Sequence, residues 1–510
     1  MAESNNKTIA KNTLLLYFRM IVTMVISLYT SRVILQVLGV DDYGIYQSVG
    51  GIVGFLAFLN AALATGSSRF LTFGLGKGDE DGLKKIFSTT LSAHLCLALI
   101  IVLIAETAGL WFLYHKLIIP PERMDAAVYT FHLSILTAFF TLTQVPYNAT
   151  IIAHERMNVY AYVSIFDAVT KLLIVYLLLI GNIDKLKLYA TLLTMLQIGI
   201  LLFYRYYCSR NFQEARFKIS FDKQIFKEIA SFSGWSLFAN SAYALSNQGI
   251  LVLLNMFFAP AVVTARSISL QVNMAANQLV TNFQTAVNPQ IVKRYAAGNL
   301  SGSKELLLQT ARFSYFLMLL IGLPILLTAE PLLKLWLGVV PEYTVIFLQI
   351  IVFQSLVQVF DTTFYMALYA KGRLKENALL SPTIGFLCFP IVYILFKMGF
   401  SPVVLSWAYL IDYALLAFVV KPLLVVKIAD YKWNEIIPVF WTCLKVTLVS
   451  LPFPVFLYFF TQGRLSEVEF FFVMVIVSVL SVGISVWYCG LNSELRTKLI
   501  DVIKNKIHRN

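Results

Sequence analysis

The sequence is short of charge. Asp, Glu, Lys and Arg make up 13% of its 510 residues, against about 25% in an ordinary soluble domain. With 59% of the residues hydrophobic, water could not solvate the folded chain, and lipid must serve as its solvent. Cysteine is also scarce. Cys96, Cys208, Cys388, Cys443 and Cys489 are scattered, with no C-x-x-C pair, so a disulfide framework or a cysteine metal site is excluded. Alternation is missing: 172–180 and 470–482 are apolar without a period of two, which rejects a membrane β-barrel. There is no Walker A sequence, no H-E-x-x-H and no G-x-S-x-G, so the chain has no nucleotide motor of its own, and no enzyme activity is expected.

What remains is a succession of apolar runs, each about 18 residues or longer and able to cross a hydrocarbon core of about 30 Å. Backbone amides in lipid must bond within their own segment, so the runs are read as helices. The expected fold is an all-α polytopic membrane protein of about fourteen spans: 12–38, 43–66, 88–114, 126–152, 158–180, 186–207, 230–257, 262–290, 309–329, 344–370, 377–397, 402–425, 436–460 and 467–490. Spans 2 and 8 are the least hydrophobic. The first run is too long for the core of a cleavable signal peptide.

The net charge of +13 points to cytoplasmic loops rather than to nucleic acid. With both termini cytoplasmic, Lys and Arg concentrate on the inner side, notably around 205–227 and in the tail after Arg496. The bilayer is therefore a partner. Gly78-Asp79 and Gly298-Asn299 open similar loops after spans 2 and 8, offset by 220 residues. That repeat suggests two parallel six-helix lobes: an N-lobe at 1–207, a cytoplasmic linker at 208–229, a C-lobe at 230–430, and two further helices with a basic tail at 431–510.

Polar groups inside spans are costly and mark cavities or partners. At about 100° per residue, Arg19, Thr23 and Thr30 share a face of span 1. Asn240 and Asn247 share one on span 7, and Asn60 is prominent on span 2. Span 8 carries Arg266, Asn273, Asn277 and Gln284 as a stripe. These spans are expected to surround a wet cavity, with Arg19, Arg32 and Arg266 suiting a phosphate-bearing head group. The competing readings are amides that glue helices together and arginines that snorkel to the interface. Asp167 and Lys171, four residues apart on span 5, suit an intrahelical pair or an ion relay. Asp361 and Asp412 are lone carboxylates and candidate sites for H+ or Na+ coupling, unless each pairs with a base elsewhere. Glu106, His94 and His132 are weaker candidates.

The segments Ser31-Arg32-Val33-Ile34-Leu35, Leu38-Gly39-Val40-Asp41-Asp42-Tyr43-Gly44-Ile45-Tyr46, Leu117-Ile118-Ile119-Pro120 with Arg123, Val145-Pro146-Tyr147-Asn148-Ala149 and Ala153-His154-Glu155-Arg156-Met157 form a recognisable set. Over roughly 10–430 the chain resembles the polysaccharide-transporter branch of the multidrug/oligosaccharidyl-lipid/polysaccharide exporter superfamily, the flippases of O-antigen and capsule assembly. The resemblance implies two lobes in a V around a central cavity. It also implies translocation of an undecaprenyl-diphosphate-linked oligosaccharide from the cytoplasmic to the periplasmic leaflet of a bacterial inner membrane, with a polysaccharide polymerase and glycosyltransferases as partners. It assigns no catalytic residue. A cation-coupled drug exporter of the same fold and a non-transporting scaffold for glycan assembly are the alternatives. The first would need carboxylates to dominate its cavity.

Overall fold

The computed structural model describes residues 2–56, 58–77, 80–154, 156–180, 183–216, 221–373, 375–492 and 496–497. Side chains at 2–17, 231–240 and some further positions, Asn60 among them, are outside this description. The Gly78-Asp79 loop also lies outside the described residues. No strand occurs among the described residues, and the chain is an all-helical polytopic membrane protein. Among the described residues, eleven helical stretches are long and apolar enough to cross a membrane. Expected spans 2, 7 and 8 also lie on helices but fall outside that set.

Contacts divide the chain into two units. The first comprises Met1–Ser267 and Gly385–Pro402. It holds α1 (Ala2–Leu38), α2 (Val40–Leu56), α3 (Phe58–Lys77), α4 (Glu80–Lys116), α5 (Met124–Ala153), α6 (Met157–Leu177), α7 (Lys185–Asn211), α8 (Lys223–Ala244) and α9 (Leu245–Phe257). It also takes the start of α10 (Pro260–Ala296). Within it α5 packs along α7, α1 along α6 and α3 along α8. Phe87, Tyr147, Ile151 and Tyr204 form part of its core. Asp184 caps α7 by accepting from the Leu186 and Lys187 amides at 3.0 and 3.1 Å, filling donors that the first turn of a helix leaves open.

Gly44 explains one of the recognisable segments. A Cβ there would lie 2.0 Å from the Pro260 carbonyl oxygen, so only glycine lets the starts of α2 and α10 meet. The Thr264 hydroxyl donates to the Val40 carbonyl at 2.7 Å and fastens the same junction.

The second unit comprises Ile268–Ile384 and Val403–Asn510. It holds the rest of α10, then α11 (Leu300–Leu337), α12 (Thr344–Lys371), the first part of α13 (Lys375–Lys397), α14 (Val404–Ile428), α15 (Trp433–Thr461) and α16 (Glu467–Gly490). Its core is aromatic. Phe440 of α15 lies 4.9 Å from Phe360 of α12 and 5.2 Å from Phe418 of α14, edge-on to both, while Tyr315 of α11 stacks on Phe360 at 5.3 Å. Such pairs add to the burial of area alone. Segments of π-helix interrupt several spans: Ala105–Gly109 in α4, Leu245–Gly249 in α9, Leu416–Val420 in α14 and Val486–Gly490 in α16.

Candidate functional site

Burial in the aromatic core of the second unit sets the terms for its charges. Lys421 on α14 is 2% exposed. Its ammonium is 3.1 Å from Asp361 Oδ1 on α12, donates to Asn377 Oδ1 on α13, and stands 5.4 Å from the centre of the Tyr365 ring. Asn377 Oδ1 also accepts from the Ser381 hydroxyl at 3.1 Å. Four groups thus receive or support one buried ammonium, and an ion is tolerated in such a place only with that degree of pairing. Asp412 on α14 is buried, and its Oδ1 has no hydrogen-bond partner.

Asp361 is therefore not a lone carboxylate. Sequence reasoning missed both Lys421 and Asn377. The signal was available: Lys421 interrupts an apolar run within expected span 12, and a lysine there calls for a buried acid.

The amides of α10 make the contacts of the competing reading, bonding to neighbouring helices. Asn277 Nδ2 donates to Ser355 Oγ at 3.0 Å, and Ser355 donates to Asn273 Oδ1 at 2.7 Å. Gln284 Nε2 lies 3.3, 3.2 and 3.0 Å from Ser314, Thr362 and Thr363 hydroxyls. The stripe faces α12 and α11 and forms an interhelical seam, so its capacity is spent on packing. Arg266 is 3% exposed, which does not fit a side chain snorkelling to the interface.

In the first unit, Arg19 faces α6. Its guanidinium sits 4.9 Å over the Tyr160 ring, with Nη1 3.5 Å from Ser164 Oγ. The Thr23 and Thr30 hydroxyls donate to carbonyls of their own helix, Met20 and Ile26. Arg32 and Asn247 are partly buried, while the side chains of Asn60 and Asn240 lie outside the described residues. Lys171 donates to Asp167 Oδ2 at 2.7 Å, the intrahelical pair. His132 lies 3.0 Å from Glu106, and His94 lies 3.2 Å from Ser67.

Arg123 proves to be a clamp. It donates from Nε and Nη2 to Asp42 at 2.8 and 2.6 Å, and from Nη1 to Asp184 at 2.6 Å. This ties the start of α2 to the caps of α5 and α7, and it explains why Asp42 and Arg123 stand in separate recognisable segments. Burial pushes the Asp42 carboxyl up, more than Arg123 pulls it down. At Asp184 burial also pushes upward, but the hydrogen bonds from Arg123 and the Lys187 amide outweigh it and hold the carboxyl low.

Two cavities open in the first unit. One of about 270 Å³ includes Tyr46, Ser134, Thr137, Thr141 and Thr194 in its lining. The other, of about 380 Å³, is almost wholly apolar, with Phe55, Phe112, Leu253 and Phe389 in its wall.

Neither a protein-family model nor a curated relative matches the sequence. Solved structures do match the fold. A structure described as lipid II flippase MurJ in an inward closed conformation aligns with a TM-score of 0.71 at 12% identity, covering 96% of this chain and 100% of that one. An inward-facing multidrug resistance MATE family transporter of the MOP superfamily aligns with a TM-score of 0.65 at 14% identity, covering 81% and 98%. A MOP superfamily transporter from Pyrococcus furiosus aligns with a TM-score of 0.57 at 14% identity, covering 83% and 97%. The chain has the polytopic helical fold that these transporters and this flippase share.

Proposed function

We propose that the chain is a flippase for a polyprenyl-diphosphate-linked oligosaccharide. It carries this lipid from the cytoplasmic to the periplasmic leaflet of a bacterial inner membrane by alternating access, during assembly of a surface polysaccharide. The observation that carries this reading is the extent of the likeness to the lipid II flippase, which takes in 96% of this chain and all of that one. The two other transporters take in 81% and 83% of this chain, and the shortfall is similar in size to the stretch 431–510. The reading no longer leans on Asn273, Asn277 and Gln284. Its cargo chemistry rests on the resemblance of the sequence segments and on Arg19, half-buried against α6. Asp361 and Asp412, with Lys421, are the ion-coupling candidates.

The experiment is disruption of the gene in its host. Loss of surface polysaccharide with accumulation of lipid-linked repeat units is expected. Intact polymer with no accumulation, in a host holding no second flippase, sinks the reading. Export of cationic dyes by proteoliposomes would favour a drug exporter instead. Arg19→Ala separates transport from scaffolding, because a scaffold would keep glycan export unchanged.

A further inference from the structure

Two π-helical turns of the first unit border one space. Ala105–Gly109 of α4 and Leu245–Gly249 of α9 both lie in the wall of the apolar cavity of about 380 Å³. A π turn takes in an extra residue and changes which side chains meet a neighbouring helix. Here the wall receives Ala105, Ala108, Gly109 and Gly249, and side chains this small leave room between their helices. Phe55 of α2 and Phe389 and Tyr393 of α13 close the remaining sides. An apolar cavity of about 150 Å³ stays dry and takes a benzene molecule. On that scale a space of about 380 Å³ holds about fifteen carbons, the size of one acyl chain.

The ends of the same helices carry charge. Lys116 lies four residues beyond Phe112 on α4, and Lys397 four beyond Tyr393 on α13. Each lysine therefore shares a face with a residue of the wall, one turn nearer the helix end. The two ends are held together through α9. Ile118, just past α4, donates its amide to the Asn255 carbonyl at 2.9 Å, and Asn255 Nδ2 donates to the Ile118 carbonyl at 3.1 Å. The Phe257 ring centre is 5.5 Å from those of Tyr393 and Phe396, and that of Phe258 is 5.0 Å from Phe396. Both lysines are exposed, and among the described residues neither is paired with an acid.

We propose that this end of the first unit binds an anionic glycerophospholipid, with one acyl chain in the cavity and the phosphate held by Lys116 and Lys397. An ammonium on a flexible stem serves phosphate as a point charge, and lysines near helix ends reach the level of the head groups. The hydrocarbon core of a bilayer holds no water, so the cavity fills from the lipid around it. The occupant is a resident lipid and not the polyprenyl cargo proposed above, whose tail is several times too long for the space. The site does not depend on that cargo.

The test uses the purified, delipidated chain in detergent and a phosphatidylglycerol with a photoreactive diazirine in one acyl chain, the label being located by peptide mass spectrometry. Label is expected on the wall, at Phe112, Leu253 or Phe389. Unlabelled phosphatidylglycerol should displace it at a several-fold lower concentration than phosphatidylcholine does. Ala108→Trp, at an exposed wall position, should remove the wall label and leave label on other lipid-facing helices as it was. Lys116→Gln with Lys397→Gln changes only exposed side chains and so keeps the fold. It should keep the wall label and abolish the advantage of phosphatidylglycerol over phosphatidylcholine. Equal competition by the two phospholipids in the unaltered chain, an unchanged wall label in Ala108→Trp, or stronger competition by a polyprenyl phosphate overturns the proposal. No transport is measured, so a gene disruption that leaves glycan export intact would remove the flippase reading and keep the lipid site.

Discussion

Arg123 in the first unit lies between Asp42 and Asp184, and Lys421 in the second lies beside Asp361. One base serves two acids in the first case and one acid in the second, and the surroundings differ as well. The Arg123 side chain is 27% exposed at the loop ends of its helices, and Lys187 stands close enough to Asp184 to act on it. A rigid fork there satisfies both acids at once, as the planar guanidinium allows. Lys421 is a point charge buried among rings, and it satisfies one acid only. The exposed fork therefore makes a mechanical clamp at the loop ends, and the buried point charge makes a closed ion pair in the interior.

Lys421→Met should have the largest effect, because it strands Asp361 in the core. Breaking a buried pair from one side costs about 3–5 kcal/mol, seen as a large drop in thermal stability in detergent. Adding Asp361→Asn should recover most of that loss, and if the double variant is as unstable as the single one, the pair is not what holds this region. Arg123→Leu comes next, at about 2 kcal/mol, since its charged hydrogen bonds are partly solvated. High salt should weaken the Arg123 clamp and leave the Lys421 pair nearly untouched, because screening acts on charges that water reaches. Equal salt sensitivity of the two would erase the contrast between them.

Gln284→Leu gives the neutral baseline for the second unit. It removes the seam to Ser314, Thr362 and Thr363 at a cost of about 1 kcal/mol in thermal unfolding, in line with the modest worth of hydrogen bonds between membrane helices. The smallest effect is the pH response of Asp184. Its carboxyl is held below the ordinary aspartate range, so its contribution is present above that range and is lost as pH falls through the lowered value. Asp184→Asn, which keeps an α7 cap, should flatten that part of the acid-stability profile.

The helical fold and the positions of the spans were legible, because lipid forces long apolar runs into helices and leaves few alternatives. Much of the candidate site was not. The stripe Asn273–Asn277–Gln284 was read correctly as one face of α10, but a face has no label saying whether water or another helix meets it, and α12 does. Asp361 and Asp412 were found from their cost in a bilayer. The partners of Asp361 were not, because Lys421, Asn377 and Asp361 come from three helices and only packing brings them together. The two halves of the clamp, Asp42 and Arg123, were visible as sequence segments whose link appears only in space.

The π-helical stretch Leu416–Val420 lies between Asp412 and Lys421, nine positions apart on one helix. In an unbroken α-helix nine steps of about 100° would turn the two side chains to opposite sides. The wider turn absorbs about one residue, which brings their bearings to within about 80°. Deleting a single residue from that stretch would leave a perfectly good hydrophobic rod of nearly the same length, yet it would swing the ammonium away from Asp361 and Asn377 on the neighbouring helices. The phase of one turn, more than the residues it contains, sets which neighbour the charge on α14 meets.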